Sequence, residues 1–152
     1  PVRRYMKNYW LEEKEIKEEI KFIKYLSGAR ASRVGQIYAL NRVLKLYQHY
    51  PDHLLAKNQF VERLHWVANQ VVSRLLDYYQ QKKWAIAVDK DDLIQECVLC
   101  GLEIAPRFNW EKVDCSFSFF ITCMGGKLSQ LRRSTRNYNE LKKRYEEHLK
   151  IS

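Results

Sequence analysis

The chain has 152 residues, 46% of them hydrophobic, which is enough to bury one respectable core and calls for no second one. Only five Gly and three Pro interrupt a composition rich in Leu, Lys, Glu, Gln and Arg, and this predicts an all-helical protein. Twenty-seven Lys and Arg against eighteen Asp and Glu leave a net charge of +9, which points to a polyanionic partner, nucleic acid before membrane. No apolar run approaches the roughly 20 residues that cross a bilayer, and the start PVRRYMKNYW lacks the apolar centre of a secretion signal, so a soluble intracellular protein is expected.

In chain order, WLEEKEIKEEIKFIKYL at 10–26 places Ile16, Ile20 and Ile23 at i, i+4 and i+7 among charges, the mark of an amphipathic helix. SGARAS at 27–32 reads as a loop whose Ser32 caps the next helix. There Ile37, Leu40, Leu44 and Tyr47 form the core-facing stripe, and Tyr50-Pro51-Asp52 ends the helix because the residue before proline is pushed out of the helical region. From about 57 to 81 Phe60, Leu64, Val67, Val71 and Leu75 repeat at spacings of four and three, giving one long helix. Arg63, His65 and Arg74 are expected on its surface, since no partner sits at metal or base spacing. KKWAIAVDKDD then leads into the next helix, with Asp89 to Asp92 suiting its N-terminal dipole.

The segment 90–133 reads as two helices, each with one buried and one working face, joined by a short polar turn over 106–114. The first, from about 91 to 105, buries Leu93, Ile94, Cys97, Val98 and Gly101, with Ile104 extending the stripe, and leaves Asp92, Gln95, Glu96, Leu99 and Glu103 on another face. A carboxylate-rich face with an exposed Leu, on an otherwise basic protein, suits docking on a basic helical partner. The second, near 116–134, carries Phe117, Phe120, Ile121, Met124, Leu128 and Leu131 on one stripe and Thr122, Lys127, Gln130 and Arg133 on much of the other side. Arg132 and Arg136 extend this basic character. Cations meet phosphate, amides meet base edges and rings stack on unpaired bases, so this side suits nucleic acid. Phe117 and Phe120 are assigned mainly to the core, with Phe119 the freest to reach DNA. Gly125-Gly126 costs about 1 kcal/mol per Gly against Ala and is expected to allow a close backbone approach.

Cys97 and Cys100 have CxxC spacing, but both fall inside a helical apolar pattern, and Cys115 and Cys123 lie elsewhere in the pattern. Small side chains packed in a reducing compartment account for them better than zinc. No P-loop, no Gly-rich phosphate cradle and no nucleophile with a base is present in the sequence, so the chain is not read as an enzyme, and no cofactor is expected.

DDLIQECVLCGLEIAPRFNWEKVDCSFSFFITCMGGKLSQLRR resembles region 2 of bacterial sigma-70-type transcription initiation factors, with its DLIQEG-type helix, its turn, and its aromatic helix ending in Arg. FVERLHWVANQVVSRL is similar to the helix that precedes these in the family, so the resemblance covers 60–136, about half the chain. It implies a compact helical bundle: an N-terminal helical extension over 1–55, a region 2-like domain over 56–136 and a basic helix or tail over 137–152. It also implies that Asp92, Gln95 and Glu96 dock on the coiled coil of the largest core RNA polymerase subunit. Phe117, Phe120, Thr122, Lys127 and Gln130 would then face the non-template strand of the promoter −10 element, in the cytoplasm of a bacterial host cell. Where principal sigma factors carry a Trp pair at the upstream edge of the bubble this chain has Cys123 and Met124, and Lys127 stands in place of a base-reading Gln. NYNELKKRYEEHLKIS leaves room for one basic helix and not for a −35-reading domain. In this the chain is similar to the late-transcription sigma factors of tailed phages, which work with a co-activator or sliding clamp. Two other readings stand beside it. One is a sigma mimic that binds polymerase and inhibits or redirects it. The other is a helical DNA-packaging or replication accessory protein, although a helix-turn-helix turn of three or four residues is shorter than the roughly eleven over 106–116.

Overall fold

Ile16, Ile20 and Ile23 all turn inward on the first helix, α1 (Glu13–Gly28), which is the face their spacing predicts. The computed structural model describes residues 10–28, 32–81 and 89–151, apart from some side chains on the two longest helices, that of Arg136 among them. Residues 29–31, half of the expected 27–32 loop, and all of 82–88 lie outside the described residues. Ser32 caps α2 (Arg33–His49) as expected: its hydroxyl accepts from the Gly35 N–H at 3.0 Å. Gly35 is required here, because a Cβ would collide with the Leu26 carbonyl oxygen.

The buried face of α2 comprises Ala39, Leu40, Val43, Leu44 and Leu46, while Ile37 and Tyr47 are only half-buried. It is wider than the expected stripe because α2 packs against α1 on one side and α3 (Leu54–Gln81) on the other. Helix α3 begins earlier than the predicted 57. His53 Nδ1 accepts from the Ala56 N–H at 3.3 Å, capping the helix directly after the turn at Pro51 and Asp52. His53 Nε2 also lies 3.0 Å from the Glu13 carboxylate, and the Leu11 N–H donates to the Tyr50 hydroxyl at 2.6 Å, so the start of α1 is fastened to the α2–α3 corner. Phe60, Leu64, Val67 and Val71 are buried as predicted, and Leu75 is half-buried. His65 and Arg74 are exposed, but Arg63 is not the surface residue expected. Its guanidinium is largely covered, donating to Gln36 Oε1 at 3.3 Å and to Glu62 Oε2 at 3.2 Å.

Asp89 caps α4 (Lys90–Ile104), its carboxylate accepting from the Asp91 N–H at 3.2 Å. A single 3₁₀ turn, Ala105–Arg107, carries the chain through Pro106. The residues after this turn do not form the polar connection expected. Phe108 and Trp110 are each only 6% exposed, packed edge to face at 4.6 Å. Gln48 of α2 holds them: its amide donates to the Ala105 and Phe108 carbonyls at 2.9 and 3.2 Å and accepts from Trp110 Nε1 at 2.8 Å. Asn41 of α2 likewise accepts from the Ser116 N–H and hydroxyl, which sets the start of α5 (Phe117–Ile151). No Pro or Gly follows Gly126, so nothing in the sequence stops α5, and it runs unbroken past the predicted 134.

All of the described regular structure is helical, and one buried cluster runs from Ile16 on α1 to Leu128 on α5. The first two helices are therefore built into the bundle. Phe60 is fully buried within it, stacked on Tyr47 at 4.6 Å and tilted against Phe120 at 6.0 Å. Burying one such ring is worth about 1.5–3 kcal/mol.

Candidate functional site

On α4 the residues Asp92, Gln95, Glu96, Leu99 and Glu103 fall within an arc of roughly 100°, at 100° per residue. Leu93, Cys97, Val98 and Gly101, on the other side, are buried against α3 and α5. Asp92, Gln95, Leu99 and Glu103 are exposed, and Glu96 is half-buried at the arc's edge. Leu99 is 56% exposed, a large apolar side chain standing among carboxylates. The arrangement joins an apolar contact point to a negative field, which suits a basic helical surface.

On α5 the sequence-predicted set divides. Thr122, Gln130, Arg132 and Arg133 are exposed, and Thr122, Gln130 and Arg133 share an arc of roughly 80°. Lys127 is half-buried at the edge nearest α4. The aromatic members are placed otherwise. Phe120 has no exposed surface, and Phe117, 8% exposed, lies between Trp66 at 5.6 Å and the Arg33 guanidinium at 5.1 Å. That agrees with their assignment to the core and runs against their facing a DNA strand. Phe119 is not free either. It packs edge to face on Phe108 at 5.2 Å and on Phe120 at 5.7 Å, because the segment expected to be polar supplies an aromatic neighbour. Arg136 is on α5, but its side chain is outside the described residues.

The two faces adjoin around a thiol. Cys100 Sγ lies 3.8 Å from the Cys123 carbonyl oxygen, and burial pushes the Cys100 thiol up. Cys123 and Glu103 add to that shift and Lys127 opposes it, so Glu103 of α4 and Lys127 of α5 both act on one group. Cys97 is fully buried, and burial pushes it up to about 12, helped by Cys100 and Glu96. A thiol held protonated in this way is a packing residue and a poor metal ligand. No metal-binding cluster occurs among the described residues.

The helix crossing beneath these faces depends on Gly101. A Cβ there would lie 2.8 Å from Leu64 Cδ2 and 3.3 Å from Met124 Cε. Around Gly125 and Gly126 nothing lies within 4 Å of such a Cβ, so the expected close approach of another helix at that pair is absent among the described residues. The supports that sequence reasoning missed are Gln48, Asn41 and Lys45, whose Nζ lies 4.6 Å from the Trp110 ring centroid. Each acts on a segment more than fifty residues away, and no local pattern marks it. Compared with protein-family models, with curated proteins and with solved structures, the chain matches none.

Proposed function

We propose that the chain is a sigma-type promoter-specificity factor. Helix α4 docks on the coiled coil of the largest subunit of core RNA polymerase, and α5 is turned toward a −10-like, AT-rich promoter element. The observation that carries this reading is the α4 arc: the resemblance assigns Asp92, Gln95 and Glu96 to docking, and Asp92 and Gln95 lie exposed beside Leu99 and Glu103. The adjoining face of α5 supplies Thr122, Lys127, Gln130, Arg132 and Arg133 to the promoter, amides and hydroxyl toward bases and cations toward phosphate. A phage co-activator or sliding clamp would raise its activity, as in the late factors that the chain is similar to.

Phe117 and Phe120 stabilise the bundle, so capture of unpaired bases falls to the polar groups of α5 and to polymerase itself. Gln95→Lys with Glu96→Lys should abolish binding to core polymerase with helix content unchanged, read by pull-down and circular dichroism; undiminished binding would sink the docking assignment. Lys127→Ala with Gln130→Ala should impair promoter opening and leave core binding intact, and normal opening would count against the DNA assignment.

One observation favours a second reading, a sigma mimic that occupies polymerase without opening promoters. Between 117 and 134 no aromatic ring of α5 is fully exposed, and Met124, in the position of a wedging Trp, has no exposed surface.

A further inference from the structure

Helix α1 sorts its charges. Lys14, Lys17, Lys21 and Lys24 are all exposed and fall within an arc of roughly 80°, a row about 15 Å long at 1.5 Å per residue. Three of the four acidic residues of the same helix have partners of their own, and the fourth, Glu18, stands exposed at the edge of the row, about 40° from Lys14. Glu19 takes the Arg42 guanidinium of α2 in a two-pronged pair at 2.7 and 2.8 Å, Glu13 faces His53, and Glu15 accepts from the Glu12 N–H at 3.4 Å. No ion pair engages any of the four lysines among the described residues. Lys17 and Lys21 stand one turn apart, as do Lys14 with Lys17 and Lys21 with Lys24. Such like-charge neighbours destabilise an isolated helix by a few tenths of a kcal/mol each. The helix carries a row of four exposed lysines that no ion pair engages, bordered by the exposed Glu18, while Glu19 and Glu13 are engaged by Arg42 and His53.

We propose that this row is a binding site for the phosphate backbone of duplex DNA, separate from the face on α5 and not dependent on the sigma reading. One strand of a duplex presents a phosphate about every 3.4 Å along the axis, so the row spans about four of them. Lysines are flexible point charges and demand no fixed geometry, which fits sequence-independent contact. Two other polyanions fit less well. Insertion into a lipid surface needs an apolar face, and that of α1 is consumed in the core as Ile16, Ile20 and Ile23. A single strand needs stacking rings spaced along its path, but the exposed Phe22 and Tyr25 are stacked on each other at 6.4 Å, and the Phe22 ring lies under the Arg42 guanidinium at 4.5 Å.

The test measures binding of the full chain to a random-sequence duplex, without polymerase, across a salt series. Replacing Lys14, Lys17, Lys21 and Lys24 by Gln should reduce the slope of log affinity against log salt by about 3 to 4, near 0.9 for each phosphate no longer neutralised. The matched control replaces Lys57, Arg74, Lys90 and Lys112, all exposed, by Gln; it removes the same charge and should leave the slope within about one unit of wild type. Lys→Arg at all four positions of the row should retain the slope. An unchanged slope in the Gln variant, or an equal fall in the control, overturns the proposal. So does a binding defect seen only with anionic vesicles, only with single strands or only with polymerase. Circular dichroism and the thermal midpoint keep a folding defect apart from a binding one. Because no polymerase or promoter enters, failure here leaves the sigma reading standing, and the converse holds.

Discussion

Gly101 is the residue on which the crossing of α3, α4 and α5 turns. Leu64 and Met124 have no exposed surface, so an added methyl group would force their side-chain ends to shift within the packed core. Overpacking of this kind costs about 1–3 kcal/mol, and the gain in helix propensity returns about 1 kcal/mol of it. Gly101→Ala should therefore lower the unfolding free energy by about 1 kcal/mol, measured by urea denaturation. Gly125→Ala and Gly126→Ala should do the opposite, each raising it by up to about 1 kcal/mol, since the added methyl groups meet nothing within 4 Å. Destabilisation at either position would reveal a close neighbour there. The three glycines differ in spatial surroundings alone, and spacing in the sequence could not separate them. Gly101 falls on a periodic apolar stripe and its burial was legible; the emptiness around Gly125 and Gly126 was not.

At the scale of elements, what could be read was whatever repeats within one helix. Ile16, Ile20 and Ile23, the capping Ser32, the stop at Tyr50-Pro51 and the run from Phe60 to Val71 all announce themselves within a few turns. The segment between α4 and α5 does not. Its polar residues, Asn109, Glu111, Lys112 and Asp114, are exposed, and they mask Phe108 and Trp110, which a helix sixty residues earlier draws into the core. That hidden packing also decides the fate of Phe119. Gln48 makes three hydrogen bonds to this segment, so Gln48→Ala leaves the buried Trp110 indole N–H and the Phe108 carbonyl without that partner, the Ala105 carbonyl keeping the Phe108 N–H at 3.3 Å. The expected decrease is about 2–3 kcal/mol of unfolding free energy, with loosened packing at Trp110 visible in tryptophan fluorescence. No change in either would mean that the segment holds itself in place.

Across the whole molecule, charge is distributed by element. Helix α4 carries Asp91, Asp92, Glu96 and Glu103 on a protein of net charge +9, with Leu99 exposed among them, while α5 and one lysine row of α1 present cations outward. No helix among the described residues is long and apolar enough to cross a membrane. A molecule with one acidic, apolar-tipped face and separate basic faces can hold a basic protein surface and a nucleic acid together, which is what the proposed role demands. The adjoining of the α4 and α5 faces around Cys100 depends on helix packing that periodicity only outlines. The most direct test adds the purified chain to core bacterial RNA polymerase and maps transcription starts on supercoiled DNA and on a template with a pre-melted bubble. Stable binding and initiation at one short AT-rich element are expected, with the bubble template favoured because no ring of α5 between 117 and 134 is fully exposed. Absence of binding to core polymerase, or starts identical to those of core alone on both templates, would contradict the proposed role.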